Sequence, residues 1–204
     1  LDFGVAGYTT ADEVLAFRHK GLALEPDLVV LGYFFNDPDI EPTQPLQRHF
    51  MTPEWWHHSA FLRWCAQARR DAQRKRVEGN DHWRWLHRPE GAGWKSVERA
   101  FADLAETTAA PRVPVIVLVF PLVSPRPWSE YAYRDLHEQV RAEAERNVFA
   151  VVDLLERYME HEPADLMIAP DDFHPTPLGH GVVGAALAEY LRERPELVCR
   201  GEGG

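Results

Sequence analysis

Short apolar runs alternate along the chain with longer amphipathic stretches, and this alternation predicts an α/β fold. Three runs bounded by Pro, Asp and Gly have the length and composition of buried parallel strands, and they cover residues 27–33, 113–120 and 148–154. Apolar residues recur at helical spacing over 94–105 and 131–146. Strands that alternate with helices are typical of a parallel sheet joined by right-handed crossovers.

Two segments carry the residues that commonly start helices. The sequence Thr-Ala-Asp-Glu at 10–13 predicts a capping box that opens a helix running toward Gly21. Thr176 as N-cap and Pro177 as the first helical residue predict a last helix that runs to about residue 194.

Residues 39–93 depart from this alternation and predict a helical insertion within a single domain spanning 1–204. One interpretation is that the insertion forms a cap over a cleft at the strand ends and shapes substrate choice. The alternative is that its tryptophans pack the insertion onto the domain and its basic run, 69–76, is a solvated helix face. The tryptophans of the insertion are Trp55, Trp56, Trp64, Trp83 and Trp85.

Composition narrows the class of protein. The chain has 204 residues, 45% of them hydrophobic and 26% charged, which is ordinary for a globular domain. Its net charge of −10 argues against nucleic acid as the main partner, because phosphate binding needs concentrated positive charge. Cys65 and Cys199 are too few for a disulfide framework. No apolar run approaches the roughly 18 residues of a membrane span.

The segment 171–180 contains the strongest candidate chemistry. Asp171 stands three residues before His174, a spacing that lets one short loop supply a histidine base and the carboxylate that orients it. The alternative is a polar loop that only caps the following helix. His180 lies six residues after His174, which is not a recognised metal-ligand spacing, so we expect neither a metal nor a cofactor.

Two further residues could stabilise an oxyanion. Asn36 ends the first apolar run, and α/β folds bind ligands at the carboxyl ends of their strands. Gly7 has no side chain, so its backbone N–H can approach a substrate closely. Each also has a purely structural interpretation, Asn36 as a strand-end cap and Gly7 as a turn residue.

Three segments, in order, resemble the second, third and fifth blocks of the SGNH (GDSL-type) hydrolase family. The second block, roughly N-x-G-V-x-G-Y-S-T, corresponds to D-F-G-V-A-G-Y-T-T at 2–10. The third, G-x-N-D, corresponds to Phe-Phe-Asn-Asp at 34–37, and the fifth, D-x-x-H-P, to 171–175. The chain departs from the family at Asp2, where Asn is common, and at Phe34, where Gly is usual.

The resemblance implies a flavodoxin-like three-layer α/β/α domain with a mainly parallel sheet. It implies His174 as base, Asp171 as its partner, and Gly7 and Asn36 as oxyanion donors. The family's nucleophilic serine follows the first strand in a G-D-S block, which this sequence lacks. None of the chain's serines follows Gly-Asp; they are Ser59, Ser96, Ser124 and Ser129.

We therefore expect the first strand and the serine to lie upstream, and residues 1–204 alone to be inactive and to expose an unpaired strand edge. The implied activity is that of a serine esterase or acylhydrolase that cleaves an acyl or acetyl ester of a small molecule or a carbohydrate. Two alternatives stay open: an O-acetyltransferase acting on a carbohydrate, and a non-catalytic binding protein that keeps the fold. An upstream G-D-S segment would favour the enzyme.

Overall fold

A three-stranded parallel sheet lies at the centre of the molecule, whose computed structural model describes residues 4–5, 7–40, 58–79, 81–169 and 172–197. Its strands are β1 (Val29–Tyr33), β2 (Val115–Val119) and β3 (Ala150–Asp153), in the order β1-β2-β3. The three predicted strands are confirmed. Each is shorter than its apolar run, because the residues at the ends of the run fall outside the paired register.

Helices fill the connections between the strands. Eight α-helices are described: α1 (Thr10–Ala16), α2 (Ala60–Glu78), α3 (His82–Leu86), α4 (Ala92–Ala109), α5 (Arg134–Arg146), α6 (Leu155–Tyr158), α7 (Pro163–Leu166) and α8 (Pro177–Arg192). Helix α1 continues through a π-helical turn, Phe17–Gly21, into a 3₁₀ turn, Leu22–Leu24. Further 3₁₀ turns cover Trp128–Glu130 and Pro195–Leu197, and a small antiparallel ribbon pairs β4 (Met167–Ala169) with β5 (Asp172–Pro175). Among these described helices, none is both long enough and apolar enough to cross a bilayer.

The sheet is covered on both faces, which gives the expected three-layer α/β/α arrangement. One face packs alternate strand residues such as Leu31 and Val117 against α1, α4 and α5. The opposite face packs residues such as Leu118 against α6, α7 and α8. Strand β2 is buried at every position, as its uninterrupted Val-Ile-Val-Leu-Val sequence requires.

The capping box of α1 lies one residue earlier than the sequence predicts. Thr9 is the N-cap: its hydroxyl accepts from the Asp12 N–H at 3.4 Å, and the Asp12 carboxylate accepts from the Thr9 N–H at 3.0 Å. Thr10 has instead a buried side chain that bonds outside the helix. The predicted start of α8 is confirmed, since the Thr176 hydroxyl accepts from the Gly179 N–H at 3.3 Å.

The turns that follow helices α4 and α5 each contain a left-handed residue that is not glycine. Arg112 has φ 55° and Val148 has φ 61°. In each case the next N–H bonds back five residues, Val113 to the Thr108 carbonyl and Phe149 to the Ala144 carbonyl, both at 3.0 Å. These bonds satisfy carbonyls that a helix end leaves unpaired and turn the chain into the following strand.

Strand β1 forms an edge of the described sheet, paired with β2 on one side only. A groove of about 500 Å³ runs along its other side, lined by residues 28–32 together with Glu13 and Phe17 from the α1 segment. The Val30 side chain is 40% exposed on this strand, although the adjacent Leu31 is buried in the core. An apolar edge of this kind presents unpaired N–H and C=O groups to whatever occupies the groove.

Candidate active site

Asn36 lies in the turn that follows β1, at the carboxyl end of the sheet. The turn is held by backbone bonds from the Asp37 N–H to the Phe34 carbonyl at 2.9 Å and from the Asp39 N–H to the Asn36 carbonyl at 2.8 Å. Of Asn36 itself only the backbone carbonyl takes part in these bonds, so its side-chain amide can act as a hydrogen-bond donor. The residue is half-buried, as a group at the wall of a cleft would be.

Gly7 occupies a tight turn just before α1. The Tyr8 N–H closes this turn on the Val5 carbonyl at 3.0 Å, and Gly7 has φ 83°. A residue with a Cβ would be strained at that φ, so the turn itself explains the glycine. The absence of a side chain also leaves the backbone N–H of Gly7 open to close approach.

A buried hydrogen bond joins the start of α1, which follows the Gly7 turn, to the turn that contains Asn36. The Thr10 hydroxyl donates to the Asp37 carboxyl over 2.9 Å, across 27 residues of sequence, and both side chains are buried. The structure thus brings the segments of Gly7 and Asn36 together. Helix α4 supports the same turn from behind, since a Cβ on Gly93 would lie only 2.2 Å from the Pro38 carbonyl oxygen.

The carboxyl group behind Asn36 is held in a setting that disfavours its charge. Burial, and then the nearby Glu13, raise the pKa of Asp37 well above its usual range, while the Thr10 hydroxyl and the Phe34 backbone oppose the shift. Burial, and then Asp12, raise the pKa of Glu13 to about 7. A setting that disfavours the charged form of a carboxyl group also lessens its repulsion of an oxyanion that forms nearby.

His174 lies on β5 and its side chain is 81% exposed. Its partner among the described residues is Asp172, whose carboxylate contacts the ring Nδ1 at 2.5 Å and accepts from the His174 N–H at 3.1 Å. The hydrogen bond from the ring and then that from the backbone lower the pKa of Asp172. Asp171, the partner expected from the sequence, falls outside the described residues.

The segment before α8 is more regular than the expected loop. His174 belongs to a strand whose pairing with β4 sets Asp172 opposite Ala169. The Thr176 N–H continues the link by bonding to the Leu166 carbonyl at 3.0 Å. The ribbon therefore fixes the backbone of His174, although no hydrogen bond within the described residues joins His174 to Asn36 or Gly7.

A network of three side chains around the buried His137, which sequence reasoning missed, joins the ends of β2 and β3. The His137 Nδ1 contacts the Asp153 carboxylate at 2.8 Å, and its Nε2 contacts the Tyr131 hydroxyl at 2.8 Å. The Leu122 N–H donates to that hydroxyl at 3.3 Å, and the Leu155 N–H donates to the Asp153 carboxylate at 3.0 Å. Every donor finds an acceptor if His137 is neutral with its proton on Nδ1.

A second buried histidine holds the residue next to Asn36. His87 contacts the Tyr33 hydroxyl at 2.9 Å and the Trp83 carbonyl at 2.7 Å, and burial lowers its pKa to about 4. The Phe35 ring lies edge-on to both His87 and His137, with centroids 5.3 Å apart in each pair. Phe35 is fully buried, so these rings anchor the turn that presents Asn36.

Part of the insertion reaches the same region. The Trp83 ring of α3 meets Phe34 edge-on with centroids 6.2 Å apart. Trp55 and Trp56, which the cap hypothesis places beside the cleft, lie outside the described residues. The placement of a cap over the cleft stays a prediction.

One family model matches residues 1–182, and its description is GDSL-like Lipase/Acylhydrolase family. The chain belongs to this family. Membership agrees with the three-layer fold and identifies a hydrolase of the SGNH type. Comparisons with curated proteins and with solved structures give no significant match. In the described part of the chain, no group of three His, Cys, Asp or Glu side chains is arranged to hold a metal ion.

Proposed function

We propose that this GDSL-family chain supplies the base and two oxyanion donors of a serine ester hydrolase whose substrate is an acyl or acetyl ester. His174 is the base and Asp171 its orienting partner, while Asn36 and Gly7 are the donors. The observation that carries the proposal is the buried Thr10–Asp37 bond, which ties the start of α1, three residues after Gly7, to the Asn36 turn at the carboxyl end of β1. Two donors held on one scaffold need no reorganisation when charge develops.

The reaction proceeds by acyl transfer. The serine oxygen attacks the ester carbonyl carbon while His174 takes the serine proton. The carbonyl oxygen becomes negative and accepts hydrogen bonds from the Asn36 amide and the Gly7 N–H. The tetrahedral intermediate then expels the alcohol, which receives the proton from His174. Water repeats the sequence on the acyl-enzyme and releases the acid.

The serine is proposed to lie upstream, at the end of a strand that pairs with the free side of β1. The groove beside β1 supports this, because it borders the side of this parallel strand on which no described strand pairs. The upstream segment and residues 1–204 together are called the extended protein below. Among the described residues no strand pairs with the free side of β1, and no serine of the chain follows Gly-Asp.

The first experiment measures hydrolysis of p-nitrophenyl acetate by the extended protein. His174→Ala should abolish turnover, and Asn36→Ala should lower kcat by about a hundredfold to a thousandfold, as for other single oxyanion donors. His180→Ala, an exposed histidine on α8, is the matched control and should leave kcat unchanged. Full activity of His174→Ala, or esterase activity of residues 1–204 alone, would refute the assignment.

The second experiment separates the two carboxylates beside His174. Asp171→Asn should lower kcat by about 10⁴-fold if Asp171 fixes the tautomer of the base. Asp172→Asn should have a small effect, because the Asp172 carboxylate is solvent-exposed and water competes for it. A reversed order of the two effects would make Asp172 the orienting residue.

A further inference from the structure

Helix α2 presents exposed aromatic rings on one face. Phe61 is 67% exposed and Trp64 is 66% exposed, and their rings stack with centroids 6.2 Å apart and planes inclined by 28°. Ala68 and Ala72 are exposed as well and continue the same face, because steps of three and four residues return to one side of a helix. We call Phe61, Trp64, Ala68 and Ala72 the α2 stripe.

Packing onto the domain explains other tryptophans of the chain but not Trp64. Trp94 of α4 is 2% exposed and lies within the core, and Trp83 packs against Phe34. Trp64 keeps most of its surface in solvent although its ring is as large and apolar as theirs. A contiguous exposed aromatic surface is typical of an interaction site.

Charge is strongly segregated between α2 and the rest of the chain. The helix carries six Lys and Arg and two acidic residues, a net charge of +4. Since the whole chain has a net charge of −10, the residues outside α2 have a net charge of −14. Arg69 and Arg76 are exposed and lie seven residues apart, on the flank of the α2 stripe. An anionic surface would attract α2 and repel the remainder, which would orient the molecule with α2 toward that surface.

We propose that α2 is an interfacial helix that lies in the surface of anionic phospholipid bilayers. Aromatic rings on one face bury in the headgroup boundary, and Lys and Arg at the flank reach the phosphates. Each cation adds attraction to the negative leaflet, so the helix gains from both terms together. A second copy of α2 is a poorer occupant, because two helices of net +4 would repel each other. The proposal stands apart from the ester hydrolysis proposed above.

Vesicle flotation of the extended protein tests the proposal. It should bind vesicles of phosphatidylcholine mixed with phosphatidylglycerol, and bind vesicles of phosphatidylcholine alone far more weakly. The double variant Phe61→Ser with Trp64→Ser, and the double variant Arg69→Gln with Arg76→Gln, should each lower the partition coefficient by about tenfold or more. Raising salt from about 0.05 M to about 0.5 M should weaken binding of the unchanged protein, because screening shortens the range of the attraction.

Matched controls keep the test specific. Ile168→Ser removes an exposed apolar side chain elsewhere, and Arg99→Gln with Arg192→Gln removes two exposed cations elsewhere; both should bind like the unchanged protein. Circular dichroism melting checks that each variant folds. Equal binding to both kinds of vesicle, no binding to either, or loss of binding in the controls would overturn the proposal. Self-association that the aromatic variant abolishes, without vesicle binding, would assign the α2 stripe to a second copy of the chain instead.

Discussion

The Tyr131 hydroxyl offers a clean test of the buried network between β2 and β3. Tyr131→Phe removes one oxygen and keeps the ring in place. That oxygen contacts the His137 Nε2 at 2.8 Å and accepts from the Leu122 N–H at 3.3 Å. The substitution therefore removes the link from the end of β2 to His137 while leaving the His137–Asp153 contact intact.

The size of the effect follows from the burial of the partners. The short bond contributes about 1 kcal/mol net, and stranding the Nε2 of a histidine side chain that is 3% exposed adds about 1–2 kcal/mol. The free energy of unfolding should fall by about 2–3 kcal/mol in total. For a protein of this size, that loss lowers Tm by about 5–10 °C.

Urea unfolding of the extended protein, followed by circular dichroism, measures the change in a double-mutant cycle with His137→Leu. In the His137→Leu background, Tyr131→Phe should cost less than about 1 kcal/mol, because the stranded nitrogen is already gone. Tyr190→Phe, at a ring that lies beside the Arg194 guanidinium at 4.0 Å, is the control and should be nearly neutral. An equal cost of Tyr131→Phe in both backgrounds would refute the network.

Two further predictions concern the carboxyl groups behind Asn36. Asp37→Asn keeps a neutral acceptor for the Thr10 hydroxyl and should leave kcat within severalfold, whereas Asp37→Ala breaks the link between the two turns and should lower kcat by about tenfold or more on p-nitrophenyl acetate. Because burial raises the pKa of Glu13 from 4.5 to about 7, the native state holds this proton more tightly than the unfolded state. The stability that Glu13 contributes at low pH is therefore lost as pH rises from about 4.5 to about 7, by up to about 3 kcal/mol. In urea unfolding at low and high pH, Glu13→Gln should remove that pH dependence of the free energy of unfolding. The control Glu106→Gln, at an exposed residue, should retain it. An unchanged pH dependence of stability in Glu13→Gln would contradict the environment described for Glu13.

The sequence predicts the sheet well because strand burial is a local property of composition. The run at 113–120 is apolar throughout, and a strand covered by helices on both faces needs such a run. Asn36 lies at a strand end and Gly7 just before a helix, as the sequence predicts, because neighbouring residues set both conformations. Their role as oxyanion donors stays a prediction.

Contacts between distant residues escape the same reasoning. By residue type Thr9 and Thr10 are equally good N-caps. In the structure the Thr10 hydroxyl donates to Asp37, 27 residues away, and Thr9 is the N-cap. The Tyr131–His137–Asp153 network is missed for a similar reason, because the residues around His137 in sequence do not predict a contact with Asp153 at the end of β3. The β4–β5 pairing, which turns the expected loop of His174 into a strand, depends on three or four residues only.

The left-handed residues in the turns after α4 and α5 affect how readily this protein could be engineered in the laboratory. Arg112 and Val148 hold a backbone conformation that costs an L-residue about 1–2 kcal/mol, and glycine adopts it without that strain. Val148 is 91% exposed, so its side chain gives little packing in return. Each residue precedes a strand, so both lie near the amino-terminal ends of the strands, whereas Asn36 lies at the carboxyl ends. Glycine at positions 112 and 148 should therefore raise stability at the amino-terminal ends of the strands. That gain would offset destabilising substitutions that alter specificity near Asn36, at the carboxyl ends.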